Sequence, residues 1–299
     1  MSENQKVVYV YENFSSEDPA FLGTLYVDNV RGRENFSFEY DSEWLKNGAY
    51  LFLLDPDLEL YNGRQYPMGQ KEMFGLFADS SPDRWGRVLM TRRERILADQ
   101  DGRKPRKLLD SDFLLGVYDE TRMGAIRFCL EKGGPFLSDD KKTPTPPWTS
   151  LRVLEDAARH FENDESGLEK KWLDQLIKPG SSLGGARPKA TVQDPEGHLW
   201  IAKFPSKHDD VDVGAWEKVV HDLARLCGLN VPESRLMTFS KYGSTFLVKR
   251  FDRDESRRVH FASAMTMLGK TDGASAEDGS NYLDIVSFIK ANGGIPSKI

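Results

Sequence analysis

The stretch "SSLGGARPKA", residues 181–190, sets two serines before a pair of glycines, then Arg187, Pro188 and Lys189 at the mouth of a strand-like run. Glycine reaches backbone conformations closed to other residues, so a tight turn is one reading. A mobile cover over nucleotide phosphates is the other. The residues are not a Walker A loop, because GxxxxGK[ST] is lacking and the glycines open a strand rather than a helix. The neighbouring segments supply the context. "KATVQD" and "HLWIAKF" flank "PEG" as a hairpin, and "SRLMTFS" and "STFLVKRFD" flank "KYG" as another. Between them "VGAWEKVVHDLARLCGL" predicts an amphipathic helix with Trp216, Val220, Leu223 and Cys227 on one stripe, ended by Gly228.

Glycine loop, strand lysine and helix acid occur here in the order found in the small lobe of a protein kinase. Lys203 lies between Ala202 and Phe204, where an ammonium must snorkel or pair because burying it alone is expensive. Glu217, within the helix, is the first candidate partner, with Glu196 and Glu233 as alternatives. Such a pair fixes the lysine and leaves its remaining donors for phosphate oxygens. "LVKRFDR", residues 247–253, comes next as a hinge, where backbone groups rather than side-chain identity hold an adenine. Ser181 and Ser182 either shape the turn or offer a hydroxyl beside bound ATP. A phosphate there adds about −1.5 to −2 charge and opposes docking of a second phosphate group.

Upstream, "KVVYVYEN", "AFLGTLYVDN", "ENFSFEY" and "AYLFLLDPD" read as short strands of an antiparallel sheet or small barrel. "SSPDRWGRVLMTRRERILADQ" predicts a helix with Ser81 as N-cap, Pro82 in first position and Trp85, Leu89 and Ile96 on one face. A short helix near 108–115 and a strand "GAIRFCL" close this part. Residues 131–149 carry four prolines and two glycines amid charges and read as a linker. Beyond it come helices at "SLRVLEDAARHFE" and "SGLEKKWLDQLIK", the second with Ser166 and Glu169 at capping-box spacing.

The 299 residues fit two domains, and a net charge of −6 argues against a general phosphate-backbone binder. Two cysteines make neither a disulfide framework nor a zinc site, and Cys129 and Cys227 both read as core residues. With no apolar run near the ~20 residues that span a bilayer and no signal-peptide pattern at the start, the expected location is cytoplasmic and away from membranes.

These pieces resemble the HipA family, the serine/threonine kinase toxins of bacterial toxin–antitoxin pairs. The resemblance rests on "SSLGGARPKA", "WIAKFPS", "EKVVHDLARLCGLNVPESRL" and "LVKRFDR", in that order, with weaker likeness in "SPDRWGRVLM" and "MGAIRF". It implies an α+β chain: a β-rich subdomain with helices over 1–130, a linker over 131–149, a kinase-like ATP-binding lobe over 150–253, and the start of a helical lobe over 254–299. It implies ATP and Mg2+ as cofactors and autophosphorylation on Ser182. Gly184, Gly185 and Ala186 would cover the phosphates, with Lys189 at the loop's end, Lys203 anchoring ATP, and Lys249 and Phe251 on the hinge. Glu217 matches the helix acid by position alone. The implied partners are a HipB-like helix-turn-helix antitoxin, operator DNA through that antitoxin, and an aminoacyl-tRNA synthetase as protein substrate.

The family's Asp-x-His-x-Lys-Asn catalytic loop and later magnesium-binding aspartate do not occur within the sequence. Asp272, Asp278 and Asp284 lack the surrounding pattern. Metal ligands are therefore expected beyond residue 299, and the chain by itself is expected to be inactive, since phosphoryl transfer needs metal and base held opposite the nucleotide. The competing expectations are a truncated antitoxin-binding module without catalysis and an unrelated nucleotide-binding regulator.

Overall fold

The computed structural model describes residues 5–47, 52–69, 71–137, 145–163, 176, 185–254 and 257–292. In chain order the helices are α1 Ser42–Lys46, α2 Gly75–Asp79, α3 Arg84–Gln100, α4 Asp110–Gly116, α5 Leu151–Glu162, α6 Val213–Leu226, α7 Ala264–Met267 and α8 Tyr282–Ala291. Among the described residues the strands longer than two residues are β1 Gln5–Glu12, β2 Ala20–Val30, β3 Arg33–Tyr40, β4 Ile126–Cys129, β5 Lys189–Gln193, β6 Leu199–Lys203, β7 Ser234–Ser240 and β8 Gly243–Lys249. The fold is α+β with two antiparallel four-stranded sheets. Contacts divide the chain into one compact unit of Met1–Ser80, Gly124–Pro135 and Arg257–Ile299 and another of Ser81–Met123 and Phe136–Ser256.

The first unit holds the sheet β3-β2-β1-β4. Alternate residues Val8, Val10 and Glu12 of β1 are buried, as a half-covered strand requires. The β2–β3 hairpin turns on Arg31 and Gly32, both at positive φ (54° and 81°), the geometry whose twist matches the strands. Gly75 lets α2 touch α7, because a Cβ there would lie 2.5 Å from Thr266 Cγ2. The Ser263 N–H donates to Asp79 Oδ2 at 2.7 Å. These contacts tie residues after 257 to the N-terminal sheet, so contacts group them there rather than as the separate lobe expected from the linear order.

The expected strand at 49–57 is not seen over residues 52–57. Asp55 instead accepts the N–H groups of Asp57 (2.8 Å) and Leu76 (2.7 Å), which bends the chain while Leu54 and Leu58 go into the core. His260 packs against the rings of Phe14 (5.4 Å) and Phe52 (5.6 Å), which also meet each other at 5.7 Å, and among the described residues neither ring nitrogen has a partner. Burial pushes its pKa down to about 4.

The second unit holds the sheet β5-β6-β8-β7. One face packs Ala190, Val192, Trp200, Ala202 and Leu247 against Leu154, Ala157 and Phe161 of α5 and Trp85 and Leu89 of α3. Side chains of this kind contribute roughly 1.5–3 kcal/mol each on burial. Trp85 meets Phe161 edge to face at 5.4 Å. This packing explains why contacts place α3 with the later sheet and not with residues 1–80. The described end of the proline-rich stretch is docked as well: the Gln193 N–H donates to the Pro146 carbonyl at 2.9 Å, and Trp148 meets Trp200 at 5.1 Å. The helix expected at 166–178 lies outside the described residues apart from Leu176, which is buried in this core.

Two local expectations need correcting. Asp83, not Ser81, caps α3, accepting the Gly86 N–H at 2.8 Å. On α6 the predicted stripe faces solvent: Trp216 is 61 % exposed, Val220 63 % and Leu223 54 %, with Cys227 also exposed. The helix lays its other side, Gly214, Glu217 and His221, on the sheet. Small and polar residues approach a strand more closely than the Trp and Leu side chains would allow. Cys129 is buried, as expected.

Candidate functional site

Strand register builds the site. Lys189 opposes Lys203, Lys203 opposes Phe246, and Phe246 opposes Leu236, so the four share one face of the sheet β5-β6-β8-β7. That face is opposite the one packed by Ala190, Ala202 and Leu247. α6 lies across it. Its N-cap Asp212 accepts from Ala215 N–H (3.0 Å), Ser244 N–H (3.0 Å) and the Ser244 hydroxyl (2.7 Å), pinning the helix start to β8. Partial burial pushes the Asp212 pKa up, but these hydrogen bonds outweigh it and hold the carboxyl below its ordinary value. Gly214 sits against the Ser244 carbonyl, and the His221 ring is 5.8 Å from Phe246.

One turn along α6, Glu217 accepts a hydrogen bond from the Lys203 amine. The same amine lies 5.7 Å from the centroid of the Phe246 ring. Both members of the pair are half-buried. The partnership expected from sequence is thus formed, and neither Glu196 nor Glu233 takes the place of Glu217.

Lys189 is placed differently from a free phosphate ligand. It is 2 % exposed, and its amine donates to Asp83 Oδ2 at 2.8 Å and to the Gly185 carbonyl at 2.9 Å. Burial pushes Asp83 up and Lys189 down, outweighing their mutual attraction. Gly185 has φ +100°, a region that favours glycine. Next to it Ala186 is exposed, and Arg187 grips Asp209 through two bonds of 2.6 and 2.5 Å. Ser181, Ser182 and Gly184 lie outside the described residues.

At the hinge, the Lys249 N–H donates to the Glu233 carbonyl at 2.8 Å, and Lys249 opposes Trp200, which places it on the sheet face away from Lys203. Phe251 is exposed. Between them Arg250 is fully buried and reaches Asp252 with bonds of 2.8 and 2.6 Å, along with the carbonyls of Thr121 (2.7 Å) and Arg122 (3.1 Å). Arg253 adds a bond to Asp252 at 2.7 Å. Sequence reading missed the docking of Arg250 on the Thr121 carbonyl and the role of Asp83 toward Lys189; those partners are 129 and 106 residues distant, beyond any local pattern.

Asp194, Glu196 and His198 bring possible metal-ligand atoms within 4.8 Å of one another in the β5–β6 turn. Asp194 already accepts from the His198 N–H (2.7 Å) and the Trp200 indole (2.8 Å), bonds that shape the hairpin. Among the described residues no helix is long and apolar enough to cross a membrane.

Residues 181–297 match the family model described as the HipA-like C-terminal domain. By structure the chain is similar to HipA of a toxin–antitoxin system from Shewanella oneidensis MR-1, solved with HipB and its operator DNA. The TM-score is 0.58 at 17% sequence identity, over 94% of this chain and 63% of that HipA. The present chain therefore spans less than two thirds of that protein's length. No curated protein matches it.

Proposed function

We propose, from the match of residues 181–297 to the HipA-like C-terminal domain model, that the chain is the ATP-gripping part of a HipA-type serine/threonine kinase of a toxin–antitoxin system. The observation that carries this reading is the Lys203–Glu217 pair, set on the sheet face that Gly185 adjoins through Lys189. The chemistry of the residues suits a triphosphate: the half-buried Lys203 ammonium on the sheet face, a glycine backbone near it, and the Glu217 carboxylate that orients the amine without using all its donors. Lys203 holds phosphate oxygens, Glu217 aims it, Gly185 and Ala186 cover the phosphates with Gly184, and the backbone at the Phe251 end of Lys249–Phe251 receives the adenine, because the N–H groups of Lys249 and Arg250 are given to the Glu233 and Leu199 carbonyls. ATP would bring Mg2+, whose charge helps phosphoryl transfer; no residue of this chain is assigned to hold the metal.

On this reading Ser182 is the autophosphorylation site, and partners are a HipB-like antitoxin with operator DNA through it. An aminoacyl-tRNA synthetase is the proposed protein substrate. The test is titration of the chain with a fluorescent ATP analogue. A hydrogen bond from a charged group contributes about 1.5–3 kcal/mol, so Lys203→Ala should weaken binding about ten- to a hundredfold. Equal affinity of variant and parent rejects the role given to Lys203. In the protein as its gene encodes it, incubation with ATP and Mg2+ should label Ser182, and Lys203→Ala should abolish the label.

A further inference from the structure

We propose that Asp83 is a positioning residue for the glycine loop: from the start of α3 it holds the Lys189 amine, which in turn holds the Gly185 carbonyl. This deepens the ATP-binding reading and rests on the loop serving as the nucleotide cover. The Asp83 carboxylate divides its oxygens, Oδ1 taking the Gly86 N–H at 2.8 Å and Oδ2 the Lys189 amine at 2.8 Å. The group that begins α3 therefore also fixes the end of the loop. Trp85 adds a second hold: its indole N–H donates to the Lys189 carbonyl at 3.1 Å, and its backbone N–H to the Gly185 carbonyl at 3.4 Å. Both ends of the segment 185–189 are thus fastened to the first turn of one helix.

Burial gives the fastening its strength. With Lys189 almost wholly covered and Asp83 nearly so, water cannot replace either partner. Lys189 stands opposite Lys203 on the sheet, so the anchored residue is the immediate neighbour of the proposed phosphate ligand. Asp83 acts through Lys189 and needs no contact with nucleotide.

Asp83→Asn isolates this role, because Asn and Asp serve about equally as N-caps and α3 keeps its start. In the nucleotide-free full chain, hydrogen exchange should accelerate at least about tenfold at Trp85 and across 185–189, with the middle of α3 unchanged. Affinity for a fluorescent ATP analogue should fall about tenfold. Lys189→Met should weaken binding too, and adding Asp83→Asn to it should cost no more, since the acid works through the lysine. If the single variants fail to fold, the double variant, which leaves no unpaired buried charge, is compared with wild type by the same two measurements. Wild-type exchange at 185–189, unchanged affinity, or fully additive losses overturn the proposal. Failure of the wild type to bind any ATP analogue sinks the function proposed above, while the exchange measurement still decides whether Asp83 anchors the loop.

Discussion

Gly214→Ala sets two effects of opposite sign against each other at the helix that carries Glu217. Helix propensity favours alanine by at most about 1 kcal/mol. Against it, the new Cβ would lie 2.0 Å from the Ser244 carbonyl oxygen and 2.9 Å from its carbon. Both are backbone atoms of β8, so no side-chain rotation relieves the clash. Bringing the oxygen contact beyond 3.0 Å, the nearest approach real Cβ atoms make, requires α6 to withdraw by more than 1 Å. Overpacking of this kind costs about 1–3 kcal/mol. Sterics should win by roughly 1–2 kcal/mol, lowering the melting point by roughly 2–8 °C for a unit of this size. The Asp212–Ser244 bonds sit at the same junction, and Glu217 lies one turn beyond it. Withdrawal should therefore loosen the Lys203–Glu217 pair and weaken ATP-analogue binding severalfold. Calorimetry and titration of the same preparation read both effects. A variant that melts at or above the parent temperature and binds equally well would show that α6 is not pressed on β8, and with it the account of how Glu217 is placed would fail.

Two further outcomes are expected. His260 takes up a proton only near pH 4 in the folded chain but near 6.5 when unfolded, so the unfolded state binds more protons in between and stability falls as pH falls through that window. His260→Phe should remove this slope and gain up to about 3 kcal/mol at pH 4 relative to wild type, read from urea midpoints at pH 4 and 8; parallel pH profiles would refute it. Asp252→Asn leaves Arg250 buried without its counter-charge and should destabilise the second unit by about 3–5 kcal/mol in urea unfolding; a loss below about 1 kcal/mol would mean that the Thr121 and Arg122 carbonyls suffice.

What could be read from sequence depended on how local the signal was. The hairpins at "PEG" and "KYG", the span of α6 and the Lys203–Glu217 pairing all rest on neighbours within fourteen residues. Lys189 could be placed on a strand, but its commitment to Asp83 could not, because that acid comes from 106 residues upstream and reads there only as part of a helix start. Likewise, periodicity showed that α6 has an apolar side but not which side the sheet would choose. The grouping of residues 257–292 with the N-terminal sheet depends on small contacts such as Gly75 with Thr266, which leave no trace in composition.

The outward-turned side of α6 has a practical meaning for anyone handling this chain. Trp216, Val219, Val220, Leu223 and Leu226 together give water an oily strip of a kind that soluble monomers rarely carry. Stickiness of that origin is not screened by added salt, and sulfate or phosphate buffers strengthen it. Preparations should clump more readily in those buffers than in dilute chloride, and the tendency should ease on cooling.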